Sequence, residues 1–218
     1  MCHCLLAAAK ASFLRPNRLR AAGKQCHAPE SQILAQMAAA ERDAGWLAAC
    51  EEAGRHLLVT DELAEAVARL LQALAPGNVL ELCAGRGELA AAVRRHGIEV
   101  AATDADPPTG SEVLRLDAAA ALAHLRPRTV IGCFVPVDSR VDRAVLAAPP
   151  VDNYLVIAAR INGQLGSSGL WSAAAWEARP LPQLTGCVIT RHDTWLGEGR
   201  GVLRRGEAWL FQRKRPTE

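Results

Sequence analysis

The chain has 218 residues, half of them apolar, which suffices for one domain of about 150–200 residues plus an extension. Only 4% are aromatic, so Ala, Leu and Val must supply most of the packing, and a formal charge of +2 implies no strong pull toward nucleic acid or membranes. No apolar run reaches the length of about 18 residues that a transmembrane helix needs. The seven cysteines are an odd, scattered set, and Cys83, Cys133 and Cys187 fall inside apolar runs. Reduced, buried thiols in a cytoplasmic protein are expected, not a disulfide framework.

Residues 1–36 stand apart. Lys10, Arg15, Arg18, Arg20 and Lys24 face one acid, Glu30, for a net +4, which leaves −2 on the rest of a chain of charge +2. Such a start suits an organellar transit peptide, a disordered basic arm touching RNA or anionic surfaces, or translated sequence upstream of a natural start at Met37. Cys2, His3 and Cys4 with Cys26 and His27 are metal-ligand types at a spacing that fits no common zinc pattern, and no metal is expected.

Residues 31–53 have helical spacing, with Ile33, Met37, Trp46 and Cys50 among the apolar positions and Gly54 as a stop. Thr60 and Asp61 offer an N-cap to a second helix whose buried stripe is Leu63, Val67, Leu70, Leu71 and Leu74. Pro76 and Gly77 end it. Strands and helices should then alternate: strand 79–82, a helix from Glu88 closing at Gly97, strands 99–103 and 112–116, helix 118–125, strand 129–135, helix 138–147 and strand 154–159. A flexible loop over 163–169 leads to Trp171 and Trp176. Two last runs, 184–191 and 207–214, are separated by glycines with no room for a helix and should pair as an antiparallel hairpin.

The stretch from Asn78 to Ala90 carries the chemistry. An apolar strand ends in Glu81, turns through Gly85 and Gly87 and enters an Ala-rich helix, and the next strand ends in Asp104. A strand, a glycine turn, a helix and a strand with a terminal carboxylate make a nucleotide-binding βαβ unit. The glycines let backbone approach a ligand, and the acid can hold two ribose hydroxyls.

Over roughly residues 60–214 the arrangement resembles the class I S-adenosylmethionine (SAM)-dependent methyltransferases. Glu81-Leu82-Cys83-Ala84-Gly85-Arg86-Gly87 matches their first motif, Asp104 the acid after strand two, and Leu116-Asp117-Ala118 the motif after strand three. Cys83 is a departure, standing where the family more often has glycine. The resemblance implies an α/β, Rossmann-like three-layer sandwich. Its sheet is seven-stranded and mostly parallel, with a C-terminal antiparallel hairpin and an N-terminal helical extension. The implied division is an arm over 1–36, helices over 37–76 packing on the domain, and a SAM-binding domain over 77–218.

The resemblance also assigns roles. SAM is the cofactor. Asp104 accepts from both ribose hydroxyls with Ala105 beside it, Gly85 and Gly87 pass the methionine portion with Cys83 and Ala84, and Glu81 lies near the cationic end. Asp117 accepts from the adenine amino group, the Ala118 backbone contacts the ring, and Phe134 borders the crevice. For Asp104 and Asp117 the competing reading is a plain N-cap or turn acid, and for Glu81 a satisfied strand-end carboxylate.

Methyl transfer from a sulfonium needs alignment and exclusion of water more than a catalytic dyad, so no catalytic residue is assigned. The acceptor should lie beyond strands four and five, near Pro136, Arg160, Asn162 and Trp171. Asp138 reads as a helix cap, and His192 with Asp193 would serve if a general base is required. Trp171, Trp176 and Trp195 either cover the acceptor or fill core. No Asn/Asp-Pro-Pro-aromatic tetrapeptide or Pro-Cys nucleophile occurs, which argues against those routes of base methylation. The expected acceptor is a small molecule, with RNA or protein as the lesser options. Two alternatives stand: an NAD(P)-binding oxidoreductase, since Gly85-Arg86-Gly87-Glu88-Leu89-Ala90 also satisfies G-x-G-x-x-A, and a catalytically silent SAM-fold binding protein.

Overall fold

The structure, a computed structural model, describes residues 28–42, 45–74, 77–137, 140–160 and 166–214. Asp138, Asn162 and the cysteines and histidines of residues 1–27 lie outside the described residues. Helices α1 (Glu30–Arg42) and α2 (Trp46–Glu52) lead to a short strand β1 (Leu57–Leu58) and to α3 (Asp61–Leu74). The Thr60 hydroxyl accepts the Leu63 amide at 3.1 Å, so Thr60 caps α3 as its position predicts. Leu63, Val67 and Leu71 are fully buried along its inner stripe, each contributing about 1.5–3 kcal/mol by leaving water.

The alternation then runs β2 (Val79–Leu82), α4 (Glu88–Arg94), β3 (Val100–Asp104), β4 (Leu114–Arg115), α5 (Ala118–Leu125), β5 (Thr129–Cys133), α6 (Val141–Ala147) and β6 (Asn153–Ala159). After it come α7 (Ser168–Trp171), β7 (Trp176–Pro180), α8 (Pro182–Thr185), β8 (Ile189–Thr190), β9 (Thr194–Trp195), β10 (Val202–Leu203) and β11 (Gly206–Arg213). The main sheet has seven strands in the order β4-β3-β2-β5-β6-β11-β7. The first five pair in parallel, and β11 is antiparallel to both β6 and β7. A mostly parallel sheet with one reversed strand, helices on both faces and leading helices is the α/β, Rossmann-like architecture the sequence implies.

The two-residue period of the strands divides the core. Val79, Ile131, Leu155, Ile157 and Leu210 face α3 and α4, while Leu80, Val130, Tyr154, Val156 and Phe211 face α5 and α6. A third cluster, Ile33, Met37, Trp46, Cys50, Leu58 and Ile189, joins α1 and α2 to the small β1–β8 sheet.

One expected strand is displaced. The antiparallel pair exists, but the partner of β11 is β7 (Trp176–Pro180) and not 184–191. Pro182 opens the one-turn helix α8, and only Ile189–Thr190 is extended, paired with β1 away from the main sheet. The reason is anchoring: Trp176 is buried, donates Nε1–H to the Leu146 carbonyl and is covered by the Arg213 guanidinium at 4.4 Å. The rest of β7 is an exposed edge, which leaves no alternating apolar signature to read. Helical spacing over 31–53 resolves into two helices, and β5 ends at Cys133 because Phe134 turns to φ +52°.

Asp193 ties the outer elements together. Its buried carboxylate accepts the Thr190 amide at 3.0 Å, the Thr190 hydroxyl at 2.8 Å and the Arg205 amide at 2.9 Å. Asp193→Ala strands three donors and should cost about 3 kcal/mol of stability, read as a lower midpoint in urea denaturation; an unchanged midpoint would contradict this role.

Candidate cofactor crevice

The carboxyl ends of β2, β3 and β5 lie side by side, the place where open α/β sheets bind ligands, and this is the candidate crevice. Cys83, Gly85 and Gly87 all have positive φ, of +54°, +54° and +72°. Cys83 thus adopts a conformation that suits glycine, which gives the departure from the first motif a physical meaning. The turn closes on itself through Gly87 donating to the Ala84 carbonyl at 2.7 Å, and Ala84 donates to the Thr103 carbonyl at 3.0 Å. A Cβ on Gly87 would meet Val113 Cγ2 at 2.7 Å, so close packing demands that glycine. A Cβ on Gly85 would meet nothing within 4 Å. The face of the turn at Gly85 is open.

Asp104 closes one side of this opening. One carboxylate oxygen accepts the Gly85 amide at 2.9 Å and the other accepts the Asp106 amide at 2.9 Å. The side chain therefore points at the glycine turn. A carboxylate has about four lone-pair sites, so two such bonds leave acceptor capacity for a ligand. Ala105 beside it is exposed.

Glu81 sits beneath the turn. The strand period aims it at the α4 face, where it is 2% exposed and accepts the Ala90 amide at 2.9 Å. Burial pushes its carboxyl up from 4.5 to about 8, opposed by the Ala90 bond and the Arg94 charge and reinforced by Glu88 and Asp104. Burial likewise raises the Cys83 thiol to about 11, with Asp104, Asp142 and Glu81 adding to it.

Asp117 is exposed and caps α5, accepting the Ala120 amide at 2.8 Å, with Ala118 as the first helical residue. Phe134, half-buried at the β5 tip, donates its amide to the Ile157 carbonyl and packs its ring 5.8 Å from His56. Pro136 follows, exposed.

The acceptor-side candidates are spread out. Arg160 forms a two-pronged ion pair with Glu207 across β6 and β11, at 2.6 and 2.8 Å. Trp171 stacks edge-on against Trp209 and Phe211 at 4.8 and 5.3 Å, on the α5–α6 face of the sheet. Trp176 and Trp195 pack against core clusters. His192 is half-buried, and its Nε2 accepts from Arg191 Nε at 3.2 Å. Among the described residues no group of three or more His, Cys, Asp or Glu is placed to hold a metal.

Sequence reasoning missed the segment that crosses the crevice. Arg55 pairs with Glu88, the first residue of α4, and His56 faces Phe134 at the β5 tip. Burial, Arg191 and His192 all push His56 below its ordinary value. The only signal was a short polar pair between the Gly54 stop and the Thr60 cap.

No protein-family model matches the chain, and no curated protein matches its sequence. Solved structures do show likeness. Magnesium protoporphyrin IX methyltransferase from Synechocystis PCC 6803 with bound SAM is 13% identical, with 71% of this chain and 79% of that one covered at a TM-score of 0.45. The methyltransferase domain of bacterial CtHen1 is 9% identical, with 71% and 98% covered at 0.43. The 1,6-didemethyltoxoflavin-N1-methyltransferase of Burkholderia thailandensis, with S-adenosylhomocysteine, is 15% identical, with 71% and 80% covered at 0.44. At such identities the likeness is one of fold alone.

Glu81 makes stability depend on pH. Its folded value is raised, so its contribution is complete below the ordinary 4.5 and is lost as pH rises through about 8. Glu81→Gln should therefore gain on the parent chain from about pH 5 to about pH 9 in thermal unfolding, and a constant difference would contradict the buried, protonated acid.

Proposed function

We propose that the chain is a SAM-dependent methyltransferase acting on a small-molecule acceptor. The observation that carries this is Asp104, whose carboxylate reaches across to the Gly85 amide at the one face of the turn where added atoms would meet nothing. The residues present fit the cofactor: a half-buried acid for paired hydroxyls, bare backbone beside it, and Asp117 with Ala118 at the next helix start. SAM supplies an electrophilic methyl group on a sulfonium. Asp104 would hold the ribose, the turn from Cys83 to Gly87 would pass the methionine portion, and Asp117 with the Ala118 backbone would meet the adenine. Phe134 with His56 would wall the opening and keep water from the reacting atoms.

The same crevice disfavours a dinucleotide. A pyrophosphate needs unoccupied amides at the helix start, yet Glu81 already takes the Ala90 amide and the acidic Glu88 stands in the first turn.

Calorimetry with SAM, S-adenosylhomocysteine and NAD in parallel tests this reading. SAM should bind with a Kd on the order of micromolar. Asp104→Ala should weaken it about a hundredfold, and Asp104→Asn, which keeps an acceptor for Gly85, should weaken it less. Tight NAD binding would overturn it.

A further inference from the structure

Beyond the cofactor crevice, the structure has a groove of about 700 Å³ between α6 and the chain that enters β7, a size that suits a small organic molecule. It begins at Val137, shortly after Phe134 at the β5 tip, and runs along α6 to Trp176. Arg140, the residue before α6, and Arg143 in its first turn line one wall, and both are exposed. Neither pairs with an acid among the described residues. Asp142, the acid between them in the chain, is buried and accepts the Tyr154 hydroxyl at 2.7 Å and the Ser167 amide at 2.9 Å. The opposite wall is small and apolar, made by Ala173, Ala174 and Ala175. Gly169 also lines the groove, and a Cβ there would meet nothing within 4 Å.

We infer that this groove receives the methyl acceptor, and that the acceptor is a small molecule with an anionic group on an apolar body. As an acceptor site it rests on the methyltransferase reading above. Two guanidiniums on one wall, with no acid partner among the described residues, favour a carboxylate, sulfate or phosphate, with Ser167 and Ser168 as further polar partners. The alanine side chains match an apolar body, and the Ala174 carbonyl is already taken by the Lys214 ammonium at 2.9 Å. Only the end of the groove at Val137 lies near the β5 tip; the other end, at Trp176, reaches the starts of β5 and β6.

The probe is 8-anilinonaphthalene-1-sulfonate, an apolar body with one anionic group, titrated by fluorescence against the full chain. The uncharged N-phenyl-1-naphthylamine serves as the control. One saturable site is expected, at least about tenfold tighter for the sulfonate than for the uncharged compound and weakened by added salt. The double variant Arg140→Glu, Arg143→Glu should lose about tenfold or more, and Gly169→Trp, which fills the groove, should lose binding as well. Both variants should bind S-adenosylhomocysteine like the parent, which shows that they are folded. Equal binding of the uncharged compound, or indifference to both variants, would overturn the inference. Displacement of the sulfonate by a short oligouridylate would also overturn it, in favour of RNA. Should S-adenosylhomocysteine fail to bind the parent chain while the sulfonate binds as described, the methyltransferase reading falls and the acceptor role falls with it, leaving an anion site.

Discussion

The crevice depends on one constraint: the turn after β2 must present bare backbone to the outside while its inner hydrogen bonds are met by the protein. Two acidic side chains satisfy it. Glu81 takes the Ala90 amide from beneath and Asp104 takes the Gly85 amide from the side. Each is aimed by the strand that carries it, so the positions of β2 and β3 in the sheet fix the shape of the turn. Backbone at positive φ holds only where its surroundings over-determine it, and Cys83 sits in that state between two such anchors.

The outer elements serve the same crevice from above. The α1–α2 cluster docks on β1 and β8, and Trp46 donates its indole N–H to the Thr190 carbonyl. Asp193 then fastens the turn after β8 to the strand that enters the main sheet. Through this chain of contacts Arg55 and His56 reach Glu88 and Phe134 at the tips of the core elements. The segment that carries Arg55 and His56 is thus anchored at several points.

Charge is distributed to match. The acids around the turn accept backbone amides, whereas Arg140 and Arg143 pair with no acid among the described residues. Arg160, which strand position marks for the acceptor side, instead closes onto Glu207 across the reversed strand. The anion site we propose lies on the α6 wall and not at the β6 tip.

The residue pattern alone determined the alternation of strands and helices, the cap at Thr60, and the acids at the tips of β2 and β3. These follow from local periodicity and turn chemistry, which act over a few residues. It left open whether Asp117 was a helix cap or an adenine partner; the fold makes it a cap without removing it from the crevice side of the sheet. Tertiary structure alone decided the partner of β11, the crossing of Arg55 and His56 over the crevice, and the groove along α6. Each of these joins segments distant in the chain. The β7 edge carries no apolar alternation because only Trp176 is buried, and a short polar pair such as Arg55 and His56 has no periodicity at all. Their places are set by what the completed sheet leaves uncovered, a quantity that no local window of sequence contains.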